Sequence, residues 1–165
     1  MTNVRSETDA SGIRTVIIDR EARRNALDRA TLDELEASFG AAAEDPGVRV
    51  LVLRGAGSAA FCAGADLDEL LAHQTIDDRR RHFDGVARVI AAMHRAPQPV
   101  IARVQGFALA GGLGLAVAAD FTIAGAGAVL GLPEIGIGLL PLPSPLYCER
   151  SSMNHPRWFG LGIAL

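Results

Sequence analysis

Two segments rich in small residues have the pattern of a site built from backbone amides. They are FCAGADLDEL at residues 61–70 and VQGFALAGGLGLAVAAD at residues 104–120. Each reads as a β-strand, then glycine, then the start of a helix, where the first amides lack intrahelical partners and carry partial positive charge. Small residues there let a carbonyl oxygen approach closely. Two such amides converging on one oxygen form an oxyanion hole, so Gly64–Ala65 and Gly111–Gly112 are candidates for its two arms. Close packing or a simple turn is the alternative explanation for these glycines.

A third segment, LPEIGIGLLP at residues 132–141, contributes a carboxylate, Glu134. Its leucine, isoleucine and glycine neighbours would exclude water from the side chain, which favours general acid or base chemistry. A loop carboxylate that caps the following turn is the alternative.

The elements that must position these residues alternate between strand and helix, which predicts an α/β fold. The TLDE sequence at residues 31–34 is a capping-box pattern that predicts a helix start. That helix would place Leu32, Leu35 and Phe39 on one face. The other expected elements are a β-hairpin from 4–7 and 13–19, strands at 48–53, 99–104, 121–124 and 128–130, a loop at 54–65, and helices at 66–71, 77–95 and 112–119.

Composition excludes several classes of protein. The 165-residue chain has a net charge of -3, so nucleic acid is not an expected partner. Cys62 and Cys148 belong to no CxxC or Cys/His cluster, which argues against a metal site and suits a reducing cytoplasm, the expected location. The N-terminus lacks the apolar core of a signal peptide. The apolar stretch at 106–132 is interrupted by glycines and Asp120, so no membrane association is expected.

The chain resembles a known family. AFCAGADLDEL (60–70), VQGFALAGGLGLAVAAD (104–120) and LPEIGIGLLP (132–141) are similar, in order and spacing, to the three signature segments of the crotonase, or enoyl-CoA hydratase/isomerase, superfamily. REARRNALD (20–28) resembles that family's first CoA-contacting loop. The likeness extends over roughly residues 3–141.

The resemblance implies a crotonase-like ββα spiral core over residues 1–140, with an acyl-CoA thioester as substrate and no separate cofactor. In the family, two peptide amides donate to the thioester oxygen while an enolate forms. By motif position these are the amides of Ala65 and Gly111, and Glu134 is the catalytic carboxylate. The residues implied to bind CoA or the acyl group are Arg23, Arg24, Asn25, Ala26, Ala63, Gly64, Ala65, Asp66, Leu67, Asp68, Gly111 and Gly112.

One position departs from the pattern of the family's typical hydratases. Those enzymes have another glutamate three residues beyond the oxyanion glycine, where this chain has Gly114. Hydration usually shares water activation and proton delivery between two groups, whereas a double-bond shift needs one base. Gly114 therefore favours isomerisation slightly, although some members described as hydratases also lack that glutamate. Asp68, Glu69 and His73 are candidates for a second group.

Residues 141–165 are a further departure. They contain four of the eight prolines and show neither a helical nor a strand period. The family normally continues into helices that include a trimerisation module, so we expect those helices to be missing and 141–165 to be an atypical tail. A homotrimer or hexamer is expected if the family interface persists. The alternative function is an inactive CoA-ester-binding or subunit-interaction protein. A serine hydrolase ranks last, because no Ser/His/Asp set lies near the glycine-rich segments.

Overall fold

Strands and helices alternate along the chain, as the sequence predicts. The computed structural model of the protein describes residues 2–72 and 75–137, together with a strand at 160–163. The strands are β1 (Val4–Thr8), β2 (Ile13–Ile18), β3 (Val50–Gly55), β4 (Ala60–Cys62), β5 (Val100–Val104), β6 (Phe107–Leu109), β7 (Phe121–Ala124), β8 (Val129–Gly131) and β9 (Gly160–Ile163). The helices are α1 (Arg29–Ala43), α2 (Leu67–Ala72), α3 (Ile76–Arg95) and α4 (Gly111–Ala118), with 3₁₀ turns at Glu21–Arg23 and Pro133–Ile137.

The larger sheet has the strand order β1-β2-β3-β5-β7-β9. Its first two strands form the predicted antiparallel hairpin, with Val4 opposite Ile18. Every other neighbouring pair in this sheet is parallel. Parallel strands need crossover connections, and α1 forms the crossover between β2 and β3. Its predicted apolar face is confirmed: Leu35 and Phe39 are fully buried, as is Val89 of α3.

The predicted start of α1 is wrong by three residues. Asp28 is the N-cap, because its carboxylate accepts hydrogen bonds from the Thr31 amide at 2.8 Å and the Thr31 hydroxyl at 2.6 Å. Glu34 does not reach back to the helix start as a capping box requires. Its carboxylate instead accepts from the amides of Asn3 and Val4, both at 2.8 Å, and so ties α1 to the hairpin.

A small second sheet, β4-β6-β8, is the main feature that the sequence does not predict. Residues 54–65 were expected to be a loop, yet β4 lies within them. The sequence predicts β8, as a strand at 128–130, but not β4 or β6, whose three residues each are too few for an alternating pattern to be visible. The three strands pair in parallel, with Cys62 opposite Ala108 and Leu109 opposite Gly131. The carboxyl ends of all three strands therefore meet at one edge.

The remaining predicted elements agree with the structure to within about two residues at each end. β9 lies in the segment without a sequence period and pairs in parallel with β7, Phe121 opposite Gly160. The division at residue 140 stays a prediction, since the rest of 141–165 is outside the described residues. Within the described ranges, no helix is both long enough and apolar enough to cross a membrane.

Candidate active site

The carboxyl edge of the small sheet brings the three predicted segments together. Ala63 to Ala65 follow β4, Ala110 and Gly111 follow β6, and Glu134 follows β8. The strand register supports the arrangement, because Leu109 pairs with Gly131 and the Ala110 amide donates to the Gly131 carbonyl at 3.0 Å.

The first arm of the predicted oxyanion hole is a tight turn at Gly64. Its φ of +93° is a value that residues with a Cβ rarely adopt. A Cβ on Gly64 would lie 2.9 Å from the Ala110 Cβ, 3.0 Å from the Leu109 carbonyl oxygen and 3.5 Å from the Gly111 nitrogen. Only glycine therefore allows the turn after β4 to lie directly against the start of α4.

The Ala65 amide is oriented by its own peptide plane. The Gly64 carbonyl accepts a hydrogen bond from the Leu27 amide at 2.7 Å. In a trans peptide the C=O and N–H groups point in opposite directions, so the Ala65 N–H points away from Leu27. No hydrogen bond among the described residues uses this N–H. It is therefore a candidate donor to a bound ligand.

The second arm begins with strained backbone at Ala110. Its φ of 47° and ψ of -119° are unusual for a residue with a side chain, and cost of order 1–3 kcal/mol. The strain orients the peptide that carries the Gly111 N–H, at the first residue of α4, where an intrahelical partner is absent. This N–H likewise has no acceptor within the described part of the chain.

The glycines at 111 and 112 differ in what surrounds them. A Cβ on Gly112 would lie 2.7 Å from the Cys62 Cβ and 2.9 Å from the Cys62 carbonyl carbon. A Cβ on Gly111 would meet only Leu27 Cδ1, at 3.6 Å. Close packing, one of the two explanations that the sequence left open, therefore applies to Gly112.

Glu134 lies in the 3₁₀ turn after β8 and is half-buried. Its Oε2 atom is inaccessible to solvent and has no hydrogen-bond partner among the described residues. A buried carboxylate oxygen without a partner is costly, unless a ligand or a proton satisfies it.

Two of the candidates for a second acid or base have other partners, and the third lies outside the described residues. Asp68 is paired with the Arg23 guanidinium, and Glu69 accepts from the Arg29 amide at 3.0 Å. His73 is outside the described residues. Gly114 is buried on α4.

Arg20 is a site residue that the sequence does not predict. Its guanidinium lies 2.8 Å from the Asp28 carboxylate and 2.9 Å from the Asp66 carboxylate. Burial raises the pKa of Asp66, but hydrogen bonds from Arg20 and from the Glu69 amide outweigh burial and lower the pKa overall. No local pattern signals this interaction, because 46 residues separate Arg20 from Asp66.

Asn25 differs from the ligand contact that the resemblance implies. It is fully buried, and its amide nitrogen donates to the carbonyls of Ala56 at 3.0 Å and Ala60 at 2.8 Å. Its oxygen accepts from the Arg20 amide. The side chain thus braces the loop against β4. Ala26 beside it is also buried.

The arginines of this loop are in different electrostatic surroundings. Arg23 is half exposed and pairs with Asp68, and its guanidinium is 4.0 Å from Asp66. Arg24 is exposed and has no ion pair within the described ranges. An open depression of about 530 Å³ beside Arg23 contains more carboxylates than arginines. Its lining residues are Arg23, Asp28, Arg29, Ala30, Asp33, Asp66, Asp68 and Glu69. Of the two arginines, Arg24 is the better placed to contact a phosphate.

Two other chemistries lack support in the described part of the chain. Burial raises the pKa of the Cys62 thiol to about 12, so it is not a thiolate nucleophile at neutral pH. No group of three or more His, Cys, Asp or Glu side chains there could hold a metal ion.

Comparison with known proteins identifies the family of the chain. The enoyl-CoA hydratase/isomerase family model matches residues 8–148. The chain is 39% identical over 149 residues to crotonyl-CoA hydratase of Syntrophomonas wolfei, covering 89% of this chain and 54% of that protein. It is 38% identical over 129 residues to short-chain-enoyl-CoA hydratase of Clostridium acetobutylicum, covering 78% of this chain and 49% of the relative.

A solved structure of enoyl-CoA hydratase from Mycobacterium smegmatis has the same fold. It superposes with a TM-score of 0.85 at 35% identity, over 91% of this chain and 58% of that one. The chain spans about half the length of the curated relatives it matches. The predicted α/β crotonase fold is confirmed, and the chain belongs to the enoyl-CoA hydratase/isomerase (crotonase) family.

Proposed function

We propose that the protein binds an acyl-CoA thioester and stabilises its enolate between the amides of Ala65 and Gly111. The observation that carries this proposal is a pair of N–H groups on either side of the contact between Gly64 and Ala110, neither of which has an acceptor among the described residues. Each such donor typically lowers the barrier by about 2.7–4 kcal/mol, because it meets negative charge that develops only during reaction.

In this proposal Glu134 transfers the proton, and Gly114 slightly favours isomerisation over hydration. Glu134 removes a proton from carbon 2 of a 3-enoyl-CoA, and the electron pair moves onto the thioester oxygen. The same carboxyl group returns the proton to carbon 4, which completes the double-bond shift without added water. The buried Glu134 Oε2, which has no hydrogen-bond partner in the described ranges, supports a role in contact with the ligand.

The acyl-CoA is the only ligand that the proposal requires. Arg24 contacts a phosphate of CoA, and Asp66 and Asn25 hold the surrounding loops. Assembly into a homo-oligomer, a trimer or hexamer, is also proposed. Large apolar side chains at the sheet surface support it, since Phe121, Ile123 and Val129 are 46–50% exposed.

Glu134→Gln tests the assignment of the base. We expect turnover of 3-enoyl-CoA to fall by at least about a thousandfold, because the amide cannot accept the proton, while acyl-CoA affinity changes little. The assay should follow both isomerisation of 3-enoyl-CoA and hydration of 2-enoyl-CoA, on material whose oligomeric state is measured by sedimentation.

Glu7→Gln is the matched control, since Glu7 is an exposed carboxylate on β1. Undiminished turnover in Glu134→Gln would contradict the assignment. Binding of enoyl-CoA without turnover in the unmodified chain would instead support the alternative, a non-catalytic CoA-ester-binding protein. Hydration faster than isomerisation would overturn the proposed preference.

A further inference from the structure

We propose that Arg20 is a positioning residue that holds the Ala65 amide in place for the thioester oxygen. The catalytic part of this inference rests on the proposed function. Its structural part, that Arg20 fixes the Gly64–Ala65 peptide, can be tested without any substrate.

Arg20 joins two separate segments of the chain through one guanidinium. Its side chain is 14% exposed. Nη2 lies 2.8 Å from an Asp28 carboxylate oxygen and 2.9 Å from an Asp66 carboxylate oxygen, while Nη1 donates to the Ala26 carbonyl. Asp28 and Ala26 belong to the loop before α1, and Asp66 directly follows Ala65. A planar guanidinium is suited to such multiple contacts.

Asp66 links Arg20 to the turn at Gly64 and Ala65. Its other carboxylate oxygen accepts from the amides of Asp68 at 3.2 Å and Glu69 at 3.4 Å, at the start of α2. Its amide donates to the Leu27 carbonyl at 2.8 Å, and the Leu27 amide donates to the Gly64 carbonyl at 2.7 Å. The peptide that carries the Ala65 N–H thus lies within this short bridge to Leu27.

Removing the guanidinium would release the bridge. Asp28 and Asp66 each have an oxygen within 2.9 Å of the same nitrogen, so without Arg20 two partly buried carboxylates face each other. Their repulsion would push the loops apart. Arg23, at 4.0 Å from Asp66, is more exposed and already paired with Asp68, so it would compensate only in part.

Amide hydrogen exchange of the ligand-free protein tests the structural part, with Arg20→Gln as the main variant. We expect the Leu27 and Asp66 amides to exchange about ten- to a hundredfold faster than in the unmodified chain, after normalisation to the amides of β3. Arg20→Lys should give a smaller increase, because an ammonium group cannot bridge both carboxylates with the same geometry. Arg20→Lys also serves if Arg20→Gln does not fold.

Arg14→Gln is the matched control. Arg14 is similarly buried, with 17% of its side chain exposed, and pairs with Asp45 at 2.6 Å away from the site. It should leave the normalised exchange of Leu27 and Asp66 unchanged. Unchanged exchange in the Arg20 variants, or an equal increase in Arg14→Gln, would overturn the inference.

A second measurement separates positioning from general loop support. Calorimetry should compare the affinities for crotonyl-CoA and free CoA in the same variants. We expect Arg20→Gln to lose about tenfold in crotonyl-CoA affinity and little in CoA affinity, since only the thioester reaches the Ala65 amide. Equal losses for both ligands would overturn the positioning role. If the unmodified chain does not bind crotonyl-CoA, the proposed function fails, while the exchange result still decides whether Arg20 fixes the turn.

Discussion

The two candidate oxyanion arms offer the same chemical group but are held by different forces. The Ala65 arm depends on charge, because Arg20 and Asp66 tie its loop to the segment before α1. The Gly111 arm depends on close packing and backbone strain, with Gly112 against Cys62 and Ala110 at positive φ. The first arm should therefore respond to pH and charge, and the second to side-chain volume.

The largest expected effect is a loss of stability at the Gly111 arm. In Gly112→Ala the new methyl group would lie 2.7 Å from the Cys62 Cβ and closer still to the Cys62 carbonyl oxygen, which is backbone. We expect the free energy of unfolding to fall by about 1–3 kcal/mol or more, since α4 must move away from β4. Denaturant unfolding measures this loss.

Gly111→Ala is the matched control one residue away. Its methyl group would meet only Leu27 Cδ1 at 3.6 Å, an ordinary contact distance. A stability loss in Gly111→Ala as large as that in Gly112→Ala would remove the distinction between a packing glycine and an amide-bearing one.

Low pH should destabilise the Ala65 arm selectively. The pKa of Asp66 is lowered in the folded protein, so its ion pair stabilises the fold fully above the unfolded value of ~3.9, and the contribution is lost as pH falls through the folded pKa. Hydrogen-exchange protection of the Leu27 amide should therefore fall below about pH 4.

In the same experiment, the exchange of the Gly114 amide measures the stability of the Gly111 arm. This amide donates to the Ala110 carbonyl at 3.0 Å and faces no titrating partner in that bond. Its protection, normalised to β3, should persist to lower pH than that of Leu27. Parallel loss at both amides would show that the arms do not respond separately.

The sequence predicted the segments of the site better than the contacts that hold them. Gly64, Gly111 and Glu134 lie on local patterns that specify turns, helix starts and an apolar loop. The small sheet that aligns them was missed, because β4 and β6 have only three residues each and leave no periodic signal. The role of Arg20 was missed because it depends on which distant carboxylates the fold brings to its guanidinium. Asn25 shows the converse. Its motif position implies a ligand contact, yet its side chain is buried and donates a hydrogen bond to the Ala60 carbonyl.

The smallest expected effect tests the strain at Ala110. Glycine adopts positive φ readily, so Ala110→Gly removes strain of order 1–3 kcal/mol from the folded state, but the greater freedom of the unfolded chain offsets about 0.4–1 kcal/mol of the gain. We expect a net increase in stability of about 1 kcal/mol by denaturant unfolding. The same change frees the peptide that carries the Gly111 N–H, so crotonyl-CoA affinity should fall even as stability rises. A variant that is less stable than the unmodified chain would show that the Ala110 backbone is not strained. Higher stability with unchanged affinity would show that α4 alone, without strain at Ala110, orients the second amide.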